Sequence, residues 1–310
     1  MIKEKKIKQV FLDKLNQCGP ELDNFISKFM DIKSNIGNGV GAGKLFETLF
    51  SAFVNQKMNN IYSLHLNLSN SHFIWDIIIT DNPSARFEIG NIITKIKSGG
   101  NIEQSITDII GDNWMGISLK TYKEDACQIT TDYSYRTYLE DLFMEGEIVG
   151  EQIDDFFSML NKHDTDRYVI MALNTYDRKL SKINEIEKEK KSLLKIKNDV
   201  KLKIKEILIA KLESEIDTVT NRYSFRLLSF DKKFDKINFK KNSTHSQYDL
   251  SIAGINYFKV LYGKNQANPF QRGIWTHNAN SIEYFQEIKT GEYKEASYFK
   301  EKLLSTIFED

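Results

Sequence analysis

The sequence predicts an α/β protein of the α+β kind, built on a mixed central β-sheet flanked by helices. Three observations predict it. Apolar residues recur at helical spacing in the N-terminal part of the chain. Two later runs, Phe73 to Thr80 and Tyr168 to Asn174, are almost continuously apolar, as strands buried on both faces are. The two patterns interleave along the chain, which places helices against a sheet and not in a domain of their own.

In order, residues 1–33 read as helix, and a second helix is expected from Lys44 to Lys57 with Leu45, Phe46, Leu49, Phe50 and Phe53 on one face. SLHLNL then alternates apolar and polar as a half-buried strand does, and Phe73 to Thr80 follows, interrupted only by Asp76. After a polar, glycine-containing stretch, WMGISLKTYKEDACQITTD reads as a hairpin. Its strands are Met115 to Tyr122 and Ala126 to Thr131, joined by a charged turn at Lys123 to Asp125. Helices are expected over Tyr135 to Phe143 and Gly150 to Asn161, and a strand over Tyr168 to Asn174.

Residues 177–218 change character, with Ile183, Ile186, Leu193, Val200, Ile204, Ile207 and Leu208 at helical spacing. This predicts one amphipathic helix of about 60 Å at ~1.5 Å per residue. Lys190 and Lys197 interrupt its stripe, which argues against a long two-stranded coiled coil and leaves a packing helix or an arm around a partner. Beyond it RYSFRLLSF and YDLSIAGINYFKVLYG read as strands, followed by the polar loop KNQANPFQRGIWTHN and a C-terminal helix. The expected plan is a core at 1–176, a helical segment at 177–218, and a C-terminal part at 219–310 continuous with the core.

A chain of 310 residues can bury a substantial core. Its 43 basic and 43 acidic residues balance, so net charge advertises no polyanionic partner, although a local basic surface is enough to bind phosphates. Cys18 and Cys127 make neither a CxxC pair nor a disulfide framework, which fits a reducing compartment, and the cytoplasm is the expectation. The start MIKEKKIKQVFLDKL lacks the apolar core and cleavage site of a secretory signal. No uninterrupted apolar run approaches a membrane span.

Gly37, Gly39, Gly41 and Gly43 precede Lys44, which invites comparison with a phosphate-binding loop, G-x-x-x-x-G-K-[ST]. Asn38 stands where the first glycine belongs, Leu45 where the Mg²⁺-binding hydroxyl belongs, and the preceding segment is helical. No nucleotide cofactor is therefore expected, and the stretch reads as a flexible loop opening a helix. The histidines form no HExxH, and no G-x-S-x-G is present; His65 and His72 read as strand-surface residues.

Asp76 is the residue most in need of explanation. An ionised carboxylate inside a buried strand costs on the order of tens of kcal/mol unless it is paired, metal-bound or protonated. Either the strand ends there, or a backbone amide or a lysine satisfies it, or it is a metal ligand. In ISLKTY, strand alternation puts Ser118 and Lys120 on one face and Ile117 and Leu119 on the other, so a lysine on a rigid strand can face an acid on its neighbour.

In WDIII with Asp76, ISLK with Lys120, and KLFETLF with Glu47, the chain resembles the PD-(D/E)xK nucleases, and among them the type II restriction endonucleases. The resemblance covers about residues 40–145, with a looser similarity in NPFQRGIW. It departs from the pattern in three ways: no proline precedes Asp76, Ser118 occupies the slot of the middle acid, and the interval from Asp76 to Lys120 demands an insertion. Glu47 or Glu140 is the candidate replacement carboxylate, and Asp112 is a competing first acid.

The resemblance implies a restriction-endonuclease-like core and Mg²⁺-dependent hydrolysis of double-stranded DNA at a specific sequence. Asp76, Glu47 and the Leu119 carbonyl would be metal ligands, and Lys120 would orient or deprotonate the attacking water. It further implies 5′-phosphate and 3′-hydroxyl products and a homodimer suited to cutting two antiparallel strands. Base readout needs side chains matched to base edges. Lys264, Asn265, Gln266, Asn268, Gln271 and Arg272 lie together in one loop, with Arg272 the foremost candidate, and a plain polar surface loop is the alternative. Lys232, Lys233, Lys236, Lys240 and Lys241 could neutralise phosphates. A non-sequence-specific nuclease and a non-catalytic DNA-binding or helical scaffold protein are the other readings.

Overall fold

The computed structural model of the chain describes residues 6–36, 40–66, 75–122, 128–130, 147–149, 167–176, 207, 210, 221–228, 236–241, 247–252, 255–261, 273–276 and 285–293. Helix α1 spans Ile7–Gln17, α2 Gly19–Ile36 and α3 Val40–Lys57. The single helix expected over residues 1–33 is thus two. Pro20 lacks the amide hydrogen a continuing helix needs but suits the first turn of a new one. Gly41 and Gly43 also differ from expectation: they lie within the first turns of α3 and not in a loop.

The strands in chain order are β1 Tyr62–His65, β2 Ile77–Thr80, β3 Trp114–Tyr122, β4 Gln128–Thr130, β5 Glu147–Val149 and β6 Tyr168–Tyr176. They continue with β7 Asn221–Leu228, β8 Lys236–Lys241, β9 Gln247–Ile252, β10 Ile255–Leu261, β11 Gly273–Thr276 and β12 Phe285–Tyr293. One six-stranded sheet has the order β1-β2-β3-β6-β7-β12 and another β4-β11-β10-β9-β8-β5. The first is mixed: β3 and β6 run parallel, and its other neighbours are antiparallel. The protein is of the α+β class.

Two expectations about the strands are corrected. The second half of the presumed hairpin, β4, pairs with β11 in the second sheet. Both edges of β3 are already occupied, by β2 and β6, so no edge remained for it. Part of the expected C-terminal helix is β12, which pairs with β7 along its length. The polar stretch after Thr80 holds a 3-10 turn at Pro83–Phe87 and two helices, α4 Ile89–Ser98 and α5 Ile102–Ile110. They are the insertion that the long interval from Asp76 to Lys120 required. The expected helices over Tyr135 to Phe143 and Gly150 to Asn161 lie outside the described residues, as does 177–218 apart from helical Ile207 and Ala210.

Alternation along the strands divides the first sheet into two faces. Ile77, Ile79, Ile117, Leu119, Met171 and Phe225 pack under α1, α2 and α3. There Phe46, Phe50 and Phe225 are fully buried, and the Phe50 and Phe225 rings lie 5.7 Å apart, fastening α3 across the sheet. Burial of each such ring contributes roughly 1.5–3 kcal/mol. The opposite face buries Leu64, Ile78 and Trp114 against Ile92 of α4 and Ile106 and Ile110 of α5. At Gly116 of β3 a side chain would collide with the Trp75 ring, 2.7 Å from where a Cβ would sit. Trp75 also stacks on Tyr168 at 4.9 Å. The absence of a side chain at Gly116 therefore lets Trp75, and with it Asp76, lie against β3. Among the described residues no helix is long and apolar enough to cross a membrane.

Candidate active site

Asp76 stands immediately before β2, and its N–H donates to the Ile117 carbonyl at 2.8 Å. The β2–β3 register pairs Ile77 with Ile117, which sets Asp76 beside Ser118. From there the side chain takes over from the backbone. Oδ2 accepts from the Leu119 N–H at 2.7 Å and from Ser118 Oγ at 3.3 Å, and Lys120 Nζ lies 3.7 Å from the same oxygen. Oδ1 has no partner among the described residues. A strand residue directs its N–H and its C=O to the same neighbour, so the Leu119 carbonyl faces the edge that Asp76 occupies.

Of the alternatives for Asp76, the structure agrees with a strand boundary at this residue and with a backbone amide and a lysine as its partners. The Asp76 and Lys120 side chains are each 25 % exposed, so the large desolvation cost does not arise. At that exposure the ion pair contributes only ~0–1 kcal/mol. Its consequence is geometric: amide, hydroxyl and ammonium hold one carboxylate oxygen, and the carboxylate holds the lysine head. Ser118 and Lys120 share a face as strand alternation predicts, and the structure brings them together with Asp76 and the Leu119 amide.

Glu47 projects from α3, and its Oε2 lies 3.4 Å from Nε2 of His65 on β1, both side chains being mostly buried. His65 Nδ1 is 3.5 Å from Thr48 Oγ1, which in turn donates to the Lys44 carbonyl. His65 pairs in register with Ile77, the residue after Asp76, so Glu47 sits at the same end of the sheet. The sequence reads His65 as a strand-surface residue with no part in a site. The signal that could have found it is its place in SLHL, one strand removed from Asp76 and next in the chain to the helix carrying Glu47.

Asp112 lies just before β3, about 25 Å from Lys120 at ~3.3 Å per residue. It is exposed, and its carbonyl accepts from Arg167 Nη1 at 2.8 Å, so it belongs to the far end of the strand. Glu140 and the loop with Lys264, Asn265, Gln266, Asn268, Gln271 and Arg272 lie outside the described residues, as do Lys232 and Lys233. Lys236, Lys240 and Lys241 fall on β8. Among the described residues no group of three or more His, Cys, Asp or Glu could hold a metal ion. A Mg²⁺ site needs no such group, since this ion commonly takes one or two carboxylates and completes its shell with waters and substrate phosphates. Asp76 Oδ1 and the Leu119 carbonyl are the hard oxygens at hand. No protein-family model, curated protein or solved structure matches the chain, so the candidate site rests on its geometry and on the motif resemblance alone.

Proposed function

We propose that the chain is a Mg²⁺-dependent endodeoxyribonuclease of the PD-(D/E)xK kind, a type II restriction endonuclease that hydrolyses double-stranded DNA at a specific sequence as a homodimer. The observation that carries the reading is the meeting of Asp76 and Ser118-Leu119-Lys120 across adjacent strands of a mixed sheet, with Lys120 Nζ 3.7 Å from the carboxylate. The helix that precedes these strands supplies Glu47 at the same end of the sheet, as the resemblance implies.

In this reading Asp76, through Oδ1, and the Leu119 carbonyl would hold Mg²⁺, and Glu47 is the carboxylate that the helical face of the sheet offers at the same end. The bound ion supplies Lewis-acid polarisation of the phosphoryl oxygen and a water of lowered pKa. Lys120, fixed by Asp76, orients the attacking water and meets the negative charge that develops on the phosphate. Ser118 replaces an acid as a hydrogen-bond donor to Asp76 and keeps Oδ2 engaged, so that Oδ1 faces outward. The Glu47–His65 contact holds the Glu47 side chain in place until a cation competes for it.

The test is incubation of plasmid DNA with the protein and Mg²⁺, repeated with Lys120→Ala. Discrete fragments that fall at least ~100-fold in rate in the variant are the expected outcome, the scale of losing one charge-stabilising donor. A smear would replace the site-specific enzyme with a non-specific nuclease. Intact DNA in both Mg²⁺ and Mn²⁺ would leave a non-catalytic DNA-binding or scaffold protein.

A further inference from the structure

Glu47 and His65 make a contact that their own hydrogen-bonding capacity does not explain. Thr48 Oγ1 has one proton, and it goes to the Lys44 carbonyl at 3.0 Å, the nearer of its two neighbours. Toward His65 Nδ1, 3.5 Å away, the hydroxyl is then an acceptor, so Nδ1 carries the ring proton. In the neutral imidazole Nε2 is left as a lone pair, and it faces Glu47 Oε2, which when ionised can only accept. Two acceptors thus meet at 3.4 Å, and what reconciles them is a cation between them.

Two kinds of cation are chemically available. A proton would make the pair an imidazolium and a carboxylate, whose hydrogen bond closes to ~2.7–2.9 Å. A metal ion bound to both by bonds of ~2.0–2.2 Å at a tetrahedral angle holds them ~3.4 Å apart, which is the separation found. The surroundings suit a metal as well. An imidazole that ligates through one nitrogen commonly donates its other N–H to an oxygen, the role Thr48 Oγ1 fills for Nδ1. Fixed elements set the spacing of the two ligands: Asn55 of α3 donates to the Ser63 carbonyl of β1 at 2.8 Å and accepts from the Ser63 N–H at 3.0 Å. With 17 % and 19 % of their side-chain surfaces exposed, His65 and Glu47 leave room for water to complete the shell.

We propose that Glu47 and His65 form a site for a divalent transition-metal ion of the Zn²⁺ type, joining α3 to β1. His65, Ile77 and Ile117 are in register and share the face under α3, whereas Asp76 reaches Ser118 and Lys120 on the opposite face. The ion that engages Glu47 and His65 is therefore not the Mg²⁺ assigned to Asp76. Imidazole nitrogen also selects against Mg²⁺, which takes oxygen ligands. Two protein ligands are one fewer than a catalytic zinc ordinarily has, so binding is reversible, with water in the remaining positions. The inference goes beyond the nuclease reading and holds whether or not the chain cleaves DNA.

The experiment titrates the full chain, stripped of metal by a chelator, with Zn²⁺ at neutral pH and reads the heat of binding and the melting temperature. The wild-type protein should bind Zn²⁺ and melt higher as its concentration rises, because an ion held only by the folded state stabilises it. His65→Gln and Glu47→Gln keep a polar side chain at each position, and each should lose both the binding and the rise in melting temperature. Excess Mg²⁺ should not displace the bound Zn²⁺. Ring-nitrogen NMR of the wild-type protein supplies a readout that needs no folded variant: Zn²⁺ should shift the Nε2 resonance of His65 while Nδ1 keeps its proton. Absence of Zn²⁺ binding by the wild-type chain overturns the site. So does binding that survives both substitutions, displacement by Mg²⁺, or a His65 Nε2 resonance that Zn²⁺ leaves in place, and the cation between the pair is then a proton.

Discussion

At the scale of single residues, the carboxylate of Asp76 is both a structural acceptor and the candidate metal ligand, and one substitution separates these duties. Asp76→Asn keeps a side-chain oxygen able to accept from the Leu119 amide but removes the charge that faces Lys120. A partly exposed ion pair is worth ~0–1 kcal/mol, so the melting temperature should fall by no more than a few degrees. Cleavage should fall at least ~100-fold, because the lost charge is what would hold the cation and the Lys120 ammonium that stabilise the charge developing on the phosphate. Thermal melts read beside a cleavage assay check this. A drop of several kcal/mol with cleavage retained would make Asp76 a structural residue. Strand periodicity alone made this part of the site legible, since it fixes Ser118 and Lys120 to one face. It could not show that Asp76 sits where β2 begins, because periodicity marks which face a residue takes and not where pairing starts.

At the scale of elements, α4 and α5 form the layer that closes the Trp75 side of the sheet, and the sequence carried their signals unread. Asn101 opens α5, its side-chain oxygen accepting from the Gln104 N–H at 3.1 Å, and Gly111 ends it with φ 85°. Gly99 ends α4 with φ 81°. An asparagine cap before a run with isoleucine at helical spacing and a glycine after it is a complete helix signature. Asn101→Ala should cost ~1 kcal/mol, measured by urea unfolding, and Asn101→Gly only a few tenths, because glycine leaves the helix end open to water. Equal losses would mean that glycine gives water no better access to the Gln104 N–H than alanine does. The failed hairpin belongs to the same scale. KTYKEDACQ has the alternation and the charged turn of a hairpin, but whether β4 or β6 pairs with β3 is decided by tertiary competition that no local pattern encodes.

At the scale of the whole molecule, hydrogen bonds tie the N-terminal helices to the C-terminal strands, and one of them carries a pH dependence. Tyr223 of β7 donates to Asp23 Oδ1 of α2 at 2.6 Å across 200 residues of sequence. Gly291 of β12 leaves them room, since a Cβ there would lie 2.5 Å from that oxygen. Burial pushes the Tyr223 hydroxyl well above its ordinary value, and its hydrogen bond to Asp23 and the Asp23 charge raise it further. The sign of the pH dependence follows. Below about pH 10 the hydroxyl keeps its proton in both folded and unfolded chains, and the stability it confers is complete. Above that the unfolded chain releases the proton while the folded one retains it, so stability falls by up to ~1.4 kcal/mol per pH unit. Tyr223→Phe removes this proton from both states. Its unfolding free energy should be lower by ~1–3 kcal/mol at neutral pH, because Asp23 loses its donor, and should decline less steeply above about pH 10. Urea titrations of both proteins at neutral and alkaline pH decide it. Parallel alkaline declines would assign the pH dependence to other groups and leave the Tyr223–Asp23 contact as a tether without a proton linkage.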